Sequence, residues 1–549
     1  MDYQRLAALM FPQELKTPEE YEALFPVRNL PEGAKITRMA PSPTGFMHLG
    51  NLFGAIVDER LAHLSGGKFI LRIEDTDLKR QVPGAVELIT RVFGQYGLNI
   101  DEGVTSDGEI GEYGPYYQRQ RAPIYQAFAK KLVLEGKAYP CFCTEQDLEN
   151  MRNLQEQRHE NPGYYGEYAV HRDMDVDTVE QLIKEGKPFV VRFRSTGDPD
   201  KTVTIDDQIK GKISVPENNQ DFVLLKSDGI PTYHFAHVVD DHLMRTSVVV
   251  RGEEWLSTLN WHIQLFGALG FKMPKFAHTS HMMKVDGDKK RKLSKRKDPE
   301  ASLDFYRTEG YPPESVKEYL MTVINSNFED WRIANPTAPL ETFPFSLKKM
   351  SVSGTLFDMD KFRDVSKNVI ARMSAEEVYD RVVDWAQEFD QDLYNCLTRD
   401  PDYAKSILAI GRGGKKPRKD LALWSEVKDY LSFFYDELFN PDYTMPENVA
   451  KEDVARILAD YGDIYNPEVD MTEWFNAICQ YSGTIGFASS TKEYKQNPEQ
   501  FRGSPGDTSM VLRVAVCGRQ NSPDLFSCMQ ILGADKVKAR LQEALNKLN

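Results

Sequence analysis

The chain has 549 residues, 41% hydrophobic and 28% charged, with a formal net charge of −15 and 6 cysteines. This is the composition of an ordinary soluble globular protein long enough for several domains, and it excludes a disulfide framework. The acidic balance argues against indiscriminate nucleic-acid binding but leaves local basic clusters available for docking.

Residues 1–34 read as an N-terminal extension, with a weak helical pattern through Leu6, Leu9 and Met10 and again through Tyr21, Leu24 and Phe25. Its apolar run, Leu6 to Phe11, stops at Pro12 and is too short for a signal peptide. No run is long enough to cross a bilayer, so a cytoplasmic protein is expected. A βαβ pattern follows. Lys35 to Ala40 predicts a buried strand, and Pro41, Pro43 and Gly45 force a turn. From Asn51 apolar residues recur at threes and fours, a helix with one buried face that ends at Gly66-Gly67. Lys68 to Glu74 is the next strand, parallel to the first through a right-handed crossover. The intervening loop therefore opens at the carboxyl edge of a sheet. His48, Gly50 and Asn51 fall at the helix N-terminus, where free N–H groups and the dipole attract phosphate. Neither a Gly-x-Gly-x-x-Gly fingerprint nor a P-loop accompanies this strand.

Further along lie Cys141-Phe-Cys143 and the basic run Lys289-Lys-Arg-Lys292, which continues through Leu293-Ser-Lys295-Arg-Lys297. Beyond Lys297 the texture is helical. Ser302–Tyr319, Ala375–Phe389, Trp424–Leu438, Val449–Tyr461 and Lys536–Leu548 show helical spacing, and breakers such as Pro336, Pro339, Pro344 and Pro417 divide them. A second basic stretch, Gly413 to Lys419, is either a set of phosphate contacts, together with Arg412, or a solvated loop.

His48-Leu-Gly-Asn51 resembles the His-Ile-Gly-His signature of class I aminoacyl-tRNA synthetases, and Lys292-Leu-Ser-Lys-Arg296 resembles their Lys-Met-Ser-Lys-Ser loop. Arg38-x-Ala-Pro-Ser-Pro-Thr-Gly45, Arg72-Ile-Glu-Asp-Thr-Asp77, Pro231-Thr-Tyr-His-Phe-Ala236, Val238-Val-Asp-Asp-His242 and Arg251-Gly-Glu-Glu-Trp255 narrow the resemblance to bacterial-type glutamyl-tRNA synthetases. Gly518-Arg-Gln-Asn-Ser-Pro-Asp-Leu525 extends it toward the C-terminus. The resemblance implies an α/β fold: a Rossmann-like parallel-sheet catalytic domain with an α+β insertion, then an all-α anticodon-binding region. The expected divisions are 35–115 and 230–285 for the catalytic halves and 116–229 for an insertion gripping the tRNA acceptor end. Residues 286–370 would hold the mobile loop and stem-contact region, and 371–549 the helical anticodon-binding region.

The implied reaction is ATP-dependent joining of L-glutamate to tRNA(Glu) through glutamyl-AMP. Negative charge builds on the triphosphate, so cations and a helix N-terminus should surround it. By resemblance, His48 and Lys295 are the catalytic contacts, with Gly50, Asn51, Glu254 and Lys292 also at ATP. A side-chain carboxylate asks for the planar fork of arginine. Arg38 and Arg251 match it, joined by Ser42 and Tyr233, with Glu74 for the α-ammonium group. His237 stands where many relatives have asparagine, and is expected at the glutamate pocket or as a spectator. Arg251 would otherwise be an ordinary ion pair with Glu253 or Glu254, and Asp75 and Asp77 read as structural.

Mg²⁺ is expected with ATP, held by phosphate oxygens and water. Some relatives place zinc near the position of Cys141-Phe-Cys143, but tyrosine occupies the third cysteine position in Tyr164 to Tyr168, and His171 has no second histidine after it. No protein-bound zinc or other metal site is therefore expected. A monomer without membrane contact is expected. Charging of tRNA(Gln) as well, or a non-catalytic tRNA-binding paralogue, are the alternatives. A glutamyl-queuosine synthetase would lack the C-terminal half. A glutaminyl enzyme would carry aspartate at the Glu74 position and a β-barrel C-terminus.

Overall fold

The structure, a computed structural model, describes residues 2–45, 47–294 and 296–548. It divides into two compact units, one of residues 1–305 and 320–358, the other of residues 306–319 and 359–549.

The first unit opens with α1 (Tyr3–Met10), capped by Asp2, and α2 (Pro18–Leu24), which starts with a Thr17–Glu20 capping box and Pro18 at its first position. Arg28, just after them, reaches into the fold. Its guanidinium lies over the Tyr113 ring at 3.6 Å and pairs with both oxygens of buried Glu102, and its Nε donates to the Met244 carbonyl at 3.2 Å.

The βαβ unit follows as read. β1 (Ile36–Met39) and β2 (Lys68–Leu71) pair in parallel, with Arg38 opposite Ile70, and α3 (Leu49–Leu64) crosses between them. The return is tight. A Cβ on Gly67 would stand 1.8 Å from the Lys35 carbonyl oxygen, so only glycine lets α3 feed β2 this close to β1. After α4 (Ala85–Gln95), β3 (Glu102–Thr105) joins β2 in parallel and β4 (Gly108–Ile110) closes the edge antiparallel.

α5 (Ala122–Leu134) leads into the inserted segment. It holds β5 (Ala138–Cys141), α6 (Glu145–Gln157), α7 (Val176–Lys184), β6 (Val190–Phe193), β7 (Thr202–Asp207), β8 (Gly211–Pro216) and β9 (Val223–Leu225). β5, β6 and β9 form an antiparallel sheet, and β7 and β8 a hairpin. The chain then re-enters the parallel architecture through α8 (Tyr233–Leu243), β10 (Val248–Gly252), α9 (Leu259–Leu269) and β11 (Lys275–Thr279). β10 and β11 are parallel, with Arg251 opposite His278. The Ser247 N–H donates to the Ile36 carbonyl at 2.9 Å, which sets β10 beside β1. A hairpin of β12 (Met282–Asp286) and β13 (Lys289–Lys292) carries the basic run, and β14 (Thr355–Leu356) pairs in parallel with β12.

The second unit contains no strand among its described residues. Helices including Met359–Arg372, Ala375–Phe389, Lys451–Ile464, Met471–Thr484, Pro505–Cys517 and Ala534–Leu548 surround a core of Leu393, Ile407, Val427, Ile478, Leu512 and Met529. Two expected helices are broken. Ser302–Tyr319 becomes Leu303–Glu309 and Pro313–Ile324, interrupted at Gly310 (φ 88°) and Pro312. Trp424–Leu438 becomes short helical turns, because Phe433, Phe434 and Tyr435 are all buried and consecutive residues cannot share one helix face. Arg412 is committed to capping, with its guanidinium donating to the carbonyls of Leu408 (2.8 Å) and Ile370 (2.6 Å), and Arg418 pairs with Asp420.

Candidate active site

A cavity of about 890 Å³ opens at the carboxyl ends of β1, β2 and β10. Of the residues singled out in the sequence, Arg38, Ser42, His48, Gly50, Asn51, Glu74, Tyr233, Arg251, Glu254 and Lys292 all line it. Lys295 lies outside the described residues. His237, expected at the glutamate pocket or as a spectator, is not among the residues that line the cavity. It sits one helical turn beyond Tyr233 on α8, fully buried behind that ring (5.6 Å between centroids), with its Nδ1 2.5 Å from Asp241.

The floor is a buried charge network. Asp241 accepts from Arg38 Nε at 3.0 Å and Arg72 Nη1 at 2.9 Å. Burial alone would raise the Asp241 carboxyl, but Arg38, Arg72 and His237 hold it well below the carboxylate range. Asp240 binds Arg121 at 2.7 Å, the Gln118 amide at 2.9 Å and the Tyr125 hydroxyl at 2.8 Å. Arg72 Nη2 reaches Glu74 at 3.2 Å. Burial pushes the Glu74 carboxyl up to about 7, against the pull of Arg72 and Arg38. Sequence reading passed over Asp240, Asp241 and Arg72 as site-forming groups, although all lie in quoted motifs. The spacing of four between His237 and Asp241 on one helix was the available signal.

Arg251 occupies the opposite wall, with its guanidinium 4.7 Å from the Phe276 ring centroid. It is not paired with its neighbours in sequence. Glu253 binds Lys210 at 2.7 Å and the His281 N–H at 3.0 Å, while Glu254 approaches His281 at 3.7 Å. Arg251 instead donates to two imidazoles, His278 and His262, each at 3.0 Å; the Tyr233 hydroxyl interacts with the same guanidinium, and its buried Nη2 has no hydrogen-bond partner among the described residues. Tyr233 stacks on Trp255 at 4.0 Å beside it. Asp75 accepts the Arg119 N–H at 2.8 Å, and Asp77 pairs at 2.6 Å with Arg80, Asp77 and Arg80 both lining the cavity.

On the remaining side, His48 caps α3 with extended backbone, and its N–H donates to Asn51 Oδ1 at 3.2 Å. The His48 ring lies against Gly50, where a Cβ would stand 3.1 Å from it. Gly252 makes comparable room for the Glu254 carboxylate, which a Cβ would meet at 2.1 Å. Lys292 ends β13 exposed at the cavity rim. Buried Asp298 anchors Arg291 and Ser294 on either side of Lys292, accepting two hydrogen bonds from Arg291 (2.6 and 2.8 Å) and the Ser294 N–H at 2.8 Å. A helix N-terminus, two arginines and a basic hairpin around one cavity can hold a triphosphate and a dicarboxylate side by side.

In the inserted segment, the fold supplies what the ligand count in the sequence did not. Cys141, Cys143 and His171 converge, with both sulfurs 3.3–3.7 Å from His171 Nδ1, and the Tyr164 hydroxyl lies 3.5 Å from Cys141 and 3.7 Å from Cys143. Ligands around one tetrahedral zinc, at about 2.3 Å for sulfur and 2.0 Å for nitrogen, stand at such separations. Hydrogen bonding from Cys143, then His171, lowers the Cys141 thiol strongly. Cys141, Cys143 and His171 could together hold a metal ion, at a place where the ligand count in the sequence leads to the expectation of none.

Residues 35–362 match the model of the class I tRNA synthetase catalytic domain (E and Q), and residues 489–545 match an anticodon binding domain. The chain is similar to a glutamate–tRNA ligase of Acetivibrio thermocellus, 52% identical over 99% of this chain and 100% of that protein. It is similar to one of Clostridium perfringens, 47% identical over 99% and 100%. Among solved structures, it resembles the glutamate-tRNA synthetase of Elizabethkingia anophelis with a TM-score of 0.73 and 26% identity, covering 93% of this chain and 100% of that one. No described helix is long and apolar enough to cross a membrane.

Proposed function

The chain belongs to the class I tRNA synthetases for glutamate and glutamine, and from that membership we propose that it joins L-glutamate to tRNA(Glu) in two steps at the cavity described. In the first, an α-carboxylate oxygen of glutamate attacks the α-phosphorus of ATP. The bond from that phosphorus to the bridging oxygen breaks, and pyrophosphate leaves with glutamyl-AMP formed. In the second, a hydroxyl of the terminal tRNA ribose attacks the acyl carbon and AMP departs. Neither step needs a covalent enzyme intermediate, so positioning and charge stabilisation carry the catalysis.

The assigned roles follow the chemistry of each wall. His48, with Gly50 and Asn51, meets the nucleotide at the α3 N-terminus, and Glu254 faces its ribose or adenine side. Lys292 and Lys295 neutralise the phosphates, with Mg²⁺ carried on the phosphate oxygens. Arg251, Arg38, Tyr233 and Ser42 take the side-chain carboxylate, and Glu74 the α-ammonium group. Cys141, Cys143, Tyr164 and His171 would hold a structural zinc that braces the inserted segment, without a part in the chemistry. The anticodon-binding match and the helical second unit support reading of unpaired tRNA bases there.

One observation carries the glutamate assignment: Arg251 is 7% exposed, faces the cavity and has no carboxylate partner among the described residues. An arginine buried without an anion is held for an anion to come. The test is ATP–pyrophosphate exchange dependent on glutamate and tRNA. Exchange that requires glutamate and is abolished in Lys295→Ala, with tRNA binding retained, is expected. A protein that binds tRNA but never returns labelled pyrophosphate to ATP is not this enzyme.

A further inference from the structure

We propose that His278 and His262 are positioning residues that present Arg251 to the substrate as a cation to which no carboxylate among the described residues is hydrogen-bonded, and that Asp207 makes this possible by fixing the tautomer of His278. The inference rests on reading Arg251 as the contact for the substrate's side-chain carboxylate.

The hydrogen-bond logic leaves one arrangement. A guanidinium has only donors. Arg251 Nε lies 3.0 Å from His278 Nε2, so that nitrogen carries a lone pair and the ring proton is on Nδ1. Nδ1 lies 2.7 Å from Asp207 Oδ2. Asp207 is itself pinned, because its Oδ1 accepts the N–H groups of Ile209 (3.0 Å) and Lys210 (2.9 Å). On the other side Arg251 Nη1 lies 3.0 Å from His262 Nδ1, which puts the His262 proton on Nε2, facing His234 Nδ1 at 3.0 Å. All three rings are neutral in this chain, and burial lowers the pKa of each.

The fold builds this from distant sequence. The parallel register of β10 and β11 places His278 directly opposite Arg251. Asp207 ends β7, His262 comes from α9 and His234 from α8. The electrostatic point is the choice of partner. A carboxylate at either imidazole position would satisfy the same N–H groups but would also cancel the charge and compete with the ligand. Neutral acceptors fix the fork, leave the positive charge in place, and leave Nη2, buried and unpartnered, for the incoming anion. His278, His262 and Asp207 thus favour a substrate carboxylate over a carboxamide without lining the cavity themselves.

Asp207→Asn is the sharpest test, because it is isosteric. The backbone N–H groups of residues 209 and 210 retain the amide oxygen, so the new NH₂ takes the place of Oδ2 and faces both His278 Nδ1 and the His278 backbone N–H that Oδ2 accepted at 3.1 Å. The ring then moves its proton to Nε2, against Arg251. We expect the glutamate KM in tRNA-dependent pyrophosphate exchange to rise at least tenfold, with the ATP KM changed less than threefold. His278→Leu, which removes the acceptor, should raise it comparably. His278→Gln, whose amide can donate to Asp207 and accept from Arg251, should recover at least a tenfold share of the His278→Leu defect. If Asp207→Asn does not fold, the His278→Leu and His278→Gln pair decides. Should Arg251→Ala raise the glutamate KM while Asp207→Asn and His278→Leu leave it unchanged, or should His278→Gln be as impaired as His278→Leu, the positioning role is overturned and the site reading stands. An unchanged glutamate KM in Arg251→Ala would overturn the site reading itself.

Discussion

Replacing Glu74 with glutamine should make the ligand-free protein more stable and the enzyme inactive. Glu74 is 6% exposed, and burial raises its carboxyl from an ordinary 4.5 to about 7 despite Arg72 and Arg38. Between those values the folded state binds a proton that the unfolded state has released. Its stability therefore falls as pH rises through the window, and the loss is complete above about pH 7. At about 1.4 kcal/mol for each tenfold, the ionised carboxylate costs about 3 kcal/mol at pH 8. Glutamine has the same shape, keeps an oxygen for Arg72 at 3.2 Å and never ionises. The gain from Glu74→Gln should thus be near zero at pH 4.5 and approach 3 kcal/mol at pH 8. The assay is the melting temperature of the first unit for both proteins across pH 5 to 8, without substrates, with exchange activity measured in parallel. A stability difference that does not grow with pH would refute the reasoning. So would a Glu74→Gln protein that uses glutamate normally, since its neutral amide offers the α-ammonium group no counter-charge.

Gly50→Ala should impair ATP use by about three- to tenfold without lowering the melting temperature. Alanine is the better helix residue by up to about 1 kcal/mol, but its Cβ, 3.1 Å from the His48 ring, displaces that ring by a few tenths of an ångström. Steady-state kinetics against ATP, beside a thermal melt, checks both halves. Cys143→Ser should remove bound zinc, measured by elemental analysis of protein purified without chelator. Wild-type protein containing no zinc would leave Cys141, Cys143, Tyr164 and His171 as a hydrogen-bonded cluster only. Asp241→Ala should destabilise the first unit by about 3–5 kcal/mol, because it removes the buried carboxylate that both Arg38 and Arg72 donate to; a near-wild-type denaturation midpoint would contradict this.

The βαβ core was legible because local rules govern it: apolar periodicity gave α3, Gly66-Gly67 its end, and the short loop a parallel crossover. The helical character of the second unit was equally local. What escaped reading depends on non-local geometry. Nothing in Asp207, His234, His262 and His278 taken singly says that strand register and two helices bring them to Arg251. His237 was read for its place in a motif, whereas its direction is set by Asp241 one turn on. That Cys141, Cys143, Tyr164 and His171 meet at one spot likewise depends on how the chain folds back between them.

Arg28 has a practical consequence for anyone cutting this protein down. The family match begins at residue 35, an inviting place to start a shortened chain. Such a chain would lack the guanidinium that grips Glu102, a carboxylate only 8% exposed at the start of β3. With only the Tyr116 hydroxyl left to it, at 3.1 Å, that buried charge costs on the order of several kcal/mol, enough to unfold a marginally stable domain. The smallest dependable catalytic fragment therefore begins upstream of Arg28, and homology limits alone would misplace its start.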